Sequence, residues 1–200
     1  MRRETSLQAM INVLEPGGVY RRADFDPLSS NVDRNLAQLV KENVLEKICR
    51  GIYLHPHQTT FGQAMPEEKK LLRKFLDDDN FVVYSPCMFN SLGFGTTQLY
   101  DKVIVLNKKR HGKIAIGGRT FFFHRQRNVP RTMTKEFLMV EMLNRFNELA
   151  EDKSMTMNIM QKKLHQFNPR RLKNTASRFG KKSTQARVKK LLRENHSVSP

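Results

Sequence analysis

The chain has 200 residues, and its 36 Lys and Arg against 19 Asp and Glu give a formal charge of +17. With 38% hydrophobic residues and 13 Phe it is polar but globular, long enough for one or two domains and too aromatic for a disordered chain. Two cysteines, Cys49 and Cys87, make neither a disulfide framework nor a four-ligand zinc site and suit a reducing cytoplasm. No stretch approaches the run of about 18 apolar residues that a membrane span needs, and Glu4, Gln8 and Asn12 interrupt the apolar core of a signal peptide after Met1-Arg2-Arg3. The expectation is a cytoplasmic protein without a membrane partner.

Charge is unevenly spread: residues 1–56 carry a net +1, residues 57–133 +7 and residues 134–200 +9. Ser6 to Leu14 reads as a short helix with Leu7, Met10, Ile11 and Leu14 on one face, stopped by Pro16-Gly17-Gly18. A second short element follows from Tyr20 to Phe25. Ser29-Ser30 offers an N-cap for a helix to about Glu42, and the strands Val44–Lys47 and Ile52–Leu54 flank Cys49-Arg50-Gly51, a hairpin signal. Helix, short helix, helix and hairpin is the plan of a winged helix-turn-helix, expected over residues 1–58.

At about 100° per residue the third helix gathers Val32, Leu36, Leu39, Val40 and Asn43 on one side and Asn31, Arg34, Gln38 and Lys41 on the other. Arg can pair with guanine, Asn and Gln with adenine, and Lys with phosphate. Arg50 at the hairpin tip could enter a neighbouring groove, while Arg21 and Arg22 could grip the backbone. The candidate DNA-contacting residues are thus Arg21, Arg22, Ser30, Asn31, Arg34, Asn35, Gln38, Lys41 and Arg50.

Three runs, Gly18 to Phe25, Asn35 to Glu42 and Arg50 to Pro56, resemble the N-terminal winged helix of AbiEi-type antitoxins of type IV toxin-antitoxin systems. Asn90-Ser91-Leu92-Gly93-Phe94-Gly95-Thr96-Thr97-Gln98 looks like that family's small-residue and Thr-Thr-Gln stretch, and Ile114 to Phe123 like its following hairpin. The resemblance implies a DNA-binding repressor of its own operon that also counteracts a nucleotidyltransferase-like toxin. One departure stands out: Asp24, Asp26 and Asp33 lie close to the proposed reading surface, whereas phosphate attraction supplies most affinity in such proteins.

Residues 59–133 read as a small mixed α/β region. Pro66-Glu67-Glu68 opens a helix through Leu76, ended by Asp77-Asp78-Asp79-Asn80, a solvated turn without the further ligands of a metal loop. A strand from Phe81 to Tyr84 leads to Ser85-Pro86, the cap of a helix stopping at Gly93. Lys102–Leu106, Ile114–Ile116 and Thr120–Phe123 read as strands, the last two joined by Gly117-Gly118, with Phe122 facing opposite to Phe121 and Phe123. His111, His124, Ser85 and Cys87 belong to no pattern of paired acid and base, nucleophile elbow or P-loop, so neither catalysis, metal, cofactor nor small-molecule substrate is expected.

Residues 134–200 read as a basic helical region: a helix from Thr134 to about Glu151 with one apolar stripe through Met139, Met142, Leu143, Phe146 and Leu149, then helices over Met155–Phe167, after Asn168-Pro169, and from Ser183, with a frayed tail from Asn195. Gln161 to Arg193 contains twelve Lys or Arg and no acid: Lys162, Lys163, Arg170, Arg171, Lys173, Arg178, Lys181, Lys182, Arg187, Lys189, Lys190 and Arg193. Such a block binds polyanions or an acidic protein, or else is a solvated surface that keeps the molecule soluble. The whole reads as an α+β, sequence-specific DNA-binding regulator of antitoxin type, with double-stranded operator DNA and a cognate toxin as partners. An RNA-binding or ribosome-associated protein is the alternative, and a defence-system nuclease a third.

Overall fold

The computed structural model describes residues 5–60, 62–64, 66–97 and 99–196; the Met1-Arg2-Arg3 start, Gln98 and the end of the tail, from residue 197, lie outside them. The chain is α+β, and it divides into two compact units: residues up to 79 together with 115–119, and residues 80–114 together with 120 onward. The expected boundaries at 58/59 and 133/134 coincide with neither.

In the first unit the Thr5 hydroxyl accepts the Gln8 N–H and starts α1 (Ser6–Asn12), whose Met10 is fully buried. After the glycine stop come β1 (Val19–Arg21) and a 3-10 helix (Arg22–Phe25). Next is α2 (Val32–Lys41). Ser30 does not cap it: the Ser29 hydroxyl accepts the Asn31 N–H at 3.0 Å, and the helix begins after Asn31. Asn43, expected on the apolar side, is exposed and takes the left-handed conformation (φ 56°) that turns the chain out of α2.

The hairpin β2 (Glu46–Cys49) and β3 (Ile52–Leu54) follows, bulged between Lys47 and Cys49, with Gly51 at φ 75° in its turn. β1 pairs antiparallel with β3, giving the order β1-β3-β2. The core beneath consists of Met10, Phe25, Val32, Leu36, Leu39, Leu45 and Tyr53. A second hairpin, β4 (His57–Thr59) with β5 (Gly62–Ala64), straddles the position where a domain boundary was expected. Beyond it α3 (Glu68–Leu76) packs beside β1 and ends on Asp77, itself left-handed at φ 51°.

The second unit begins with β6 (Val82–Tyr84) and a 3-10 helix (Pro86–Leu92) opened by the Ser85 hydroxyl, which accepts the Cys87 N–H at 3.3 Å. β7 (Val103–Asn107), β8 (Gly112–Ile116) and β9 (Arg119–Arg125) complete a sheet of order β6-β7-β9-β8, with β6 antiparallel and β9 parallel to β7. Alternation along β9 buries Phe121 and Phe123 and leaves Phe122 half-buried on the other face.

The Thr134 hydroxyl caps α4 (Lys135–Asn144), followed by a 3-10 turn (Phe146–Glu148). The single apolar stripe expected here is a misreading: every residue from Glu136 to Leu143 is buried, so α4 is a central helix enclosed on all sides. α5 (Lys153–Lys163), α6 (Pro169–Phe179) and α7 (Lys182–His196) follow, and α6 and α7 both pack against α4. Ile104 and Leu106 of the sheet share one core with Met139, Leu143, Met160, Leu172 and Val188 of the helices, which is why no boundary falls at 133/134.

Candidate nucleic-acid interface

The inward face of α2 is set by Val32, Leu36 and Leu39, each at most 3% exposed. That phase turns Asn31, Arg34, Gln38 and Lys41 outward, as the spacing predicts. Asn35 goes the other way. Its amide donates to the Ser6 and Ser29 hydroxyls at 3.1 and 3.0 Å, so it ties α2 to α1 and to the loop before α2, and it cannot reach a base edge. Gln38 is outward but donates to Glu42 at 2.9 Å, an exposed pair one turn along the same helix.

The two arginines before the helix are also committed. Arg22 donates through Nε and Nη2 to both carboxylate oxygens of Asp33, each at 2.9 Å, and through Nη1 to Asp26 at 2.7 Å. This fork holds the Asp33 carboxyl below the usual carboxylate range. Arg21 pairs with Asp77, and Lys74 with Asp24 at 2.6 Å. Hence Arg21 and Arg22 brace the fold and do not stand free to grip phosphate. Arg34, Lys41 and Arg50 are exposed and make no ion pair among the described residues.

The basic C-terminal residues separate in the same way. Arg187 donates to the Leu143 carbonyl at 3.5 Å with its guanidinium 5.4 Å from the Phe146 ring centre, and Lys181 donates to the Asn144 carbonyl at 2.9 Å. Both supply the positive charge that the last turn of α4 lacks, so their role is to cap that helix. Arg178 packs on Phe179, Lys163 is half-buried against Gly93, and Lys190 pairs with Glu194. Lys162, Arg170, Arg171, Lys173, Lys182, Lys189 and Arg193 are exposed. Between α6 and α7 runs a groove of about 550 Å³ with Ala176, Val188 and Leu192 along its floor and Arg170, Lys173, Lys189 and Arg193 on its rim.

A further cluster drew no role from the sequence. Buried Glu141 accepts from the Tyr84 hydroxyl at 2.6 Å, from Arg145 Nε at 2.8 Å and from Asn144 at 3.0 Å, while Arg145 also reaches Glu148 at 3.2 Å. Burial first, and then the Glu141 charge, push the Tyr84 hydroxyl above its usual range. Arg145 and Glu148 line a cavity of about 140 Å³ with Tyr100, Lys102, Phe122 and His124. Burial holds His124 below its ordinary value, helped by the charges of Arg145 and His111 and opposed by Glu141 and Glu148. The available signal was Glu141 and Arg145 spaced i, i+4 inside an otherwise apolar run. At Cys87 the Ser85 hydroxyl, and then the Tyr100 backbone, draw the thiol down, while burial pushes Cys49 up.

No helix among the described residues is long and apolar enough to cross a membrane. No curated protein matches the chain. A model of a family of unknown function, DUF6088, matches residues 8–174, which takes in most of the first unit and stops inside α6, before α7. Spanning most of the 200 residues, that match makes the chain a member of the DUF6088 family.

Proposed function

We propose that the chain is a sequence-specific DNA-binding regulator whose first unit works as a winged helix. Helix α2 enters the major groove with Arg34 as principal reader, supported by Asn31, Gln38 and Lys41, and the β2–β3 hairpin lays Arg50 beside it. The observation that carries this reading is the division of α2: Val32, Leu36 and Leu39 lock one face into the core, while the opposite face holds side chains with donor and acceptor patterns suited to base edges. The β1-β3-β2 order supports it, since a hairpin paired in this way can serve as the wing of such a unit. Exposed cations between Lys162 and Arg193 add phosphate contacts.

The resemblance to AbiEi-type antitoxins extends the reading to an autorepressor that neutralises a toxin encoded beside it. The test is selection of binding sites from random duplex DNA by the full chain, with single-stranded RNA as competitor. An enriched motif that resists the RNA is expected. Recovery of unselected sequences, or stronger retention of RNA, overturns the reading in favour of a general polyanion or RNA binder.

A further inference from the structure

The second unit holds a cluster of cations that DNA reading does not use. Along β9, Phe122 and His124 lie on one face of the sheet. The Lys102 and Lys113 ammonium groups stand 5.7 and 5.9 Å from the Phe122 ring centre, and the His111 ring meets His124 edge-on with centres 5.6 Å apart. Arg145 closes the cavity from the end of α4, 11% exposed at its side chain and fixed by Tyr84 and Glu141. Groups from three separate elements thus converge on one small space.

The charge balance there is specific. Arg145 is offset by Glu141 at 2.8 Å and Glu148 at 3.2 Å. Lys102 and Lys113 have no ion-pair partner among the described residues, and His111 and His124 add charge only when protonated. Retaining a buried ion network and crowding lysines and histidines beside it is unfavourable for stability alone, which is the pattern of a ligand site. The cavity, of about 140 Å³, is small, which suits a tetrahedral oxyanion better than a whole nucleotide.

We propose that this cavity binds a small oxyanion, either free phosphate or the phosphoryl end of a phosphate ester, held by Lys102, His124 and Arg145 beside Phe122. The ligand supplies the negative charge that Lys102 and a protonated His124 lack. The site lies within the second unit and does not depend on the DNA reading.

The test follows the histidine ring resonances of the full chain by NMR. His124→Gln identifies the His124 signal, and sulfate, orthophosphate and adenosine 5′-monophosphate are titrated at constant ionic strength. Saturable shifts at His124 are expected, absent at His57 and His165. The His124 titration should move up by about one pH unit when the site is filled, because anion and proton binding are coupled. Sulfate keeps its charge across the range, so its affinity should fall as pH rises through the His124 titration. Lys102→Gln should weaken binding about tenfold, as loss of one charge-assisted hydrogen bond implies, and Lys153→Gln should not. Tighter binding of the monophosphate than of orthophosphate assigns the site to an ester, and equal binding assigns it to the free ion. Shifts that rise linearly and equally at all histidines, or an unchanged affinity in Lys102→Gln, overturn the proposal.

Discussion

The first unit carries 13 Lys and Arg against 12 Asp and Glu, the second 23 against 7, so that nearly all of the +17 resides in one half of the molecule. In the first, the acids sit on the surface and take the cations: Arg21 with Asp77, Arg22 with Asp26 and Asp33, Lys74 with Asp24, Arg119 with Glu68. In the second, several of the few acids are drawn inward or spent on caps, Glu136 and Glu141 being buried and Asp152 capping α5, so most outer cations go uncompensated. The division teaches that affinity and selectivity need not come from one surface. On the proposed reading, the near-neutral helix α2 would gain little from phosphate in general and discriminate through a few side chains, while the strongly basic unit would bind any duplex.

The largest effect should come from erasing the charge of the second unit. Deleting residues 161–200 would remove Leu164, Leu172, Ala176, Val188 and Leu191 from the core, so charge is better removed by substitution. Replacing exposed Arg170, Arg171, Lys173, Lys182, Lys189 and Lys190 with Gln should flatten the dependence of log affinity on log salt by about 0.9 for each phosphate no longer neutralised, and lower affinity by up to about a thousandfold if all six reach the DNA. The preferred base sequence should not change. Fluorescence anisotropy at several salt concentrations measures it, and parallel lines for variant and wild type would assign the basic face to a protein partner.

Next in size is the support of the reading helix. Leu39 is fully buried and Leu36 1% exposed, so truncating either to Ala should cost about 2–5 kcal/mol, read by denaturant unfolding. Sequence-specific binding should vanish with the fold of the first unit while salt-dependent retention by the second survives. Loss of both together would mean that selectivity and affinity share a surface.

The sequence made much of this legible, and where it failed the reason was physical. Hydrophobic phase sufficed for the buried face of α2 and for Phe121 to Phe123, because one face of each element is buried and the other wet, and the Asn168-Pro169 cap sufficed for the start of α6, whereas α5 begins two residues earlier and ends four residues sooner than expected. It failed for α4, where enclosure on all sides leaves no phase to read. Asn35 and Arg22 look like nucleic-acid ligands in one dimension. Only their partners, Ser29 and Ser6 for one and Asp33 and Asp26 for the other, reveal them as braces, and those partners lie up to 29 residues away. The contacts of Arg187 and Lys181 were hidden for the same reason, their acceptors being the last carbonyls of a helix more than 35 residues earlier.

A smaller effect separates readers from braces within α2. Arg34→Ala should relax selection at one base position, costing about 1–3 kcal/mol of discrimination with unfolding unchanged. Asn35→Ala should do the reverse: about 1 kcal/mol of stability lost with its hydrogen bonds, and the preferred sequence intact. Site selection and unfolding curves on the two variants distinguish the roles, and a relaxed preference in Asn35→Ala would place that side chain at the DNA after all.

The smallest effect tests whether the acids of the first unit restrain binding. Asp33 holds two of the three hydrogen bonds of Arg22 and stands on the exposed side of the reading helix. Because Arg22 keeps the Asp33 carboxyl below its usual range, the group carries its full charge at neutral pH. Its charge can therefore be removed at neutral pH only by substitution. Asp33→Asn removes one negative charge facing the phosphates and frees part of the Arg22 fork, so DNA should bind more tightly and the salt slope should steepen by up to about 0.9, the value of one more neutralised phosphate. The alternative is that Arg22 and Asp33 together set the angle between the 3-10 helix and α2, in which case freeing them weakens selection of the preferred sequence while the slope stays put. A steeper slope with the same preferred sequence would show the acids to be a brake on general affinity. An unchanged slope with a blurred preference would show them to be part of the reading geometry.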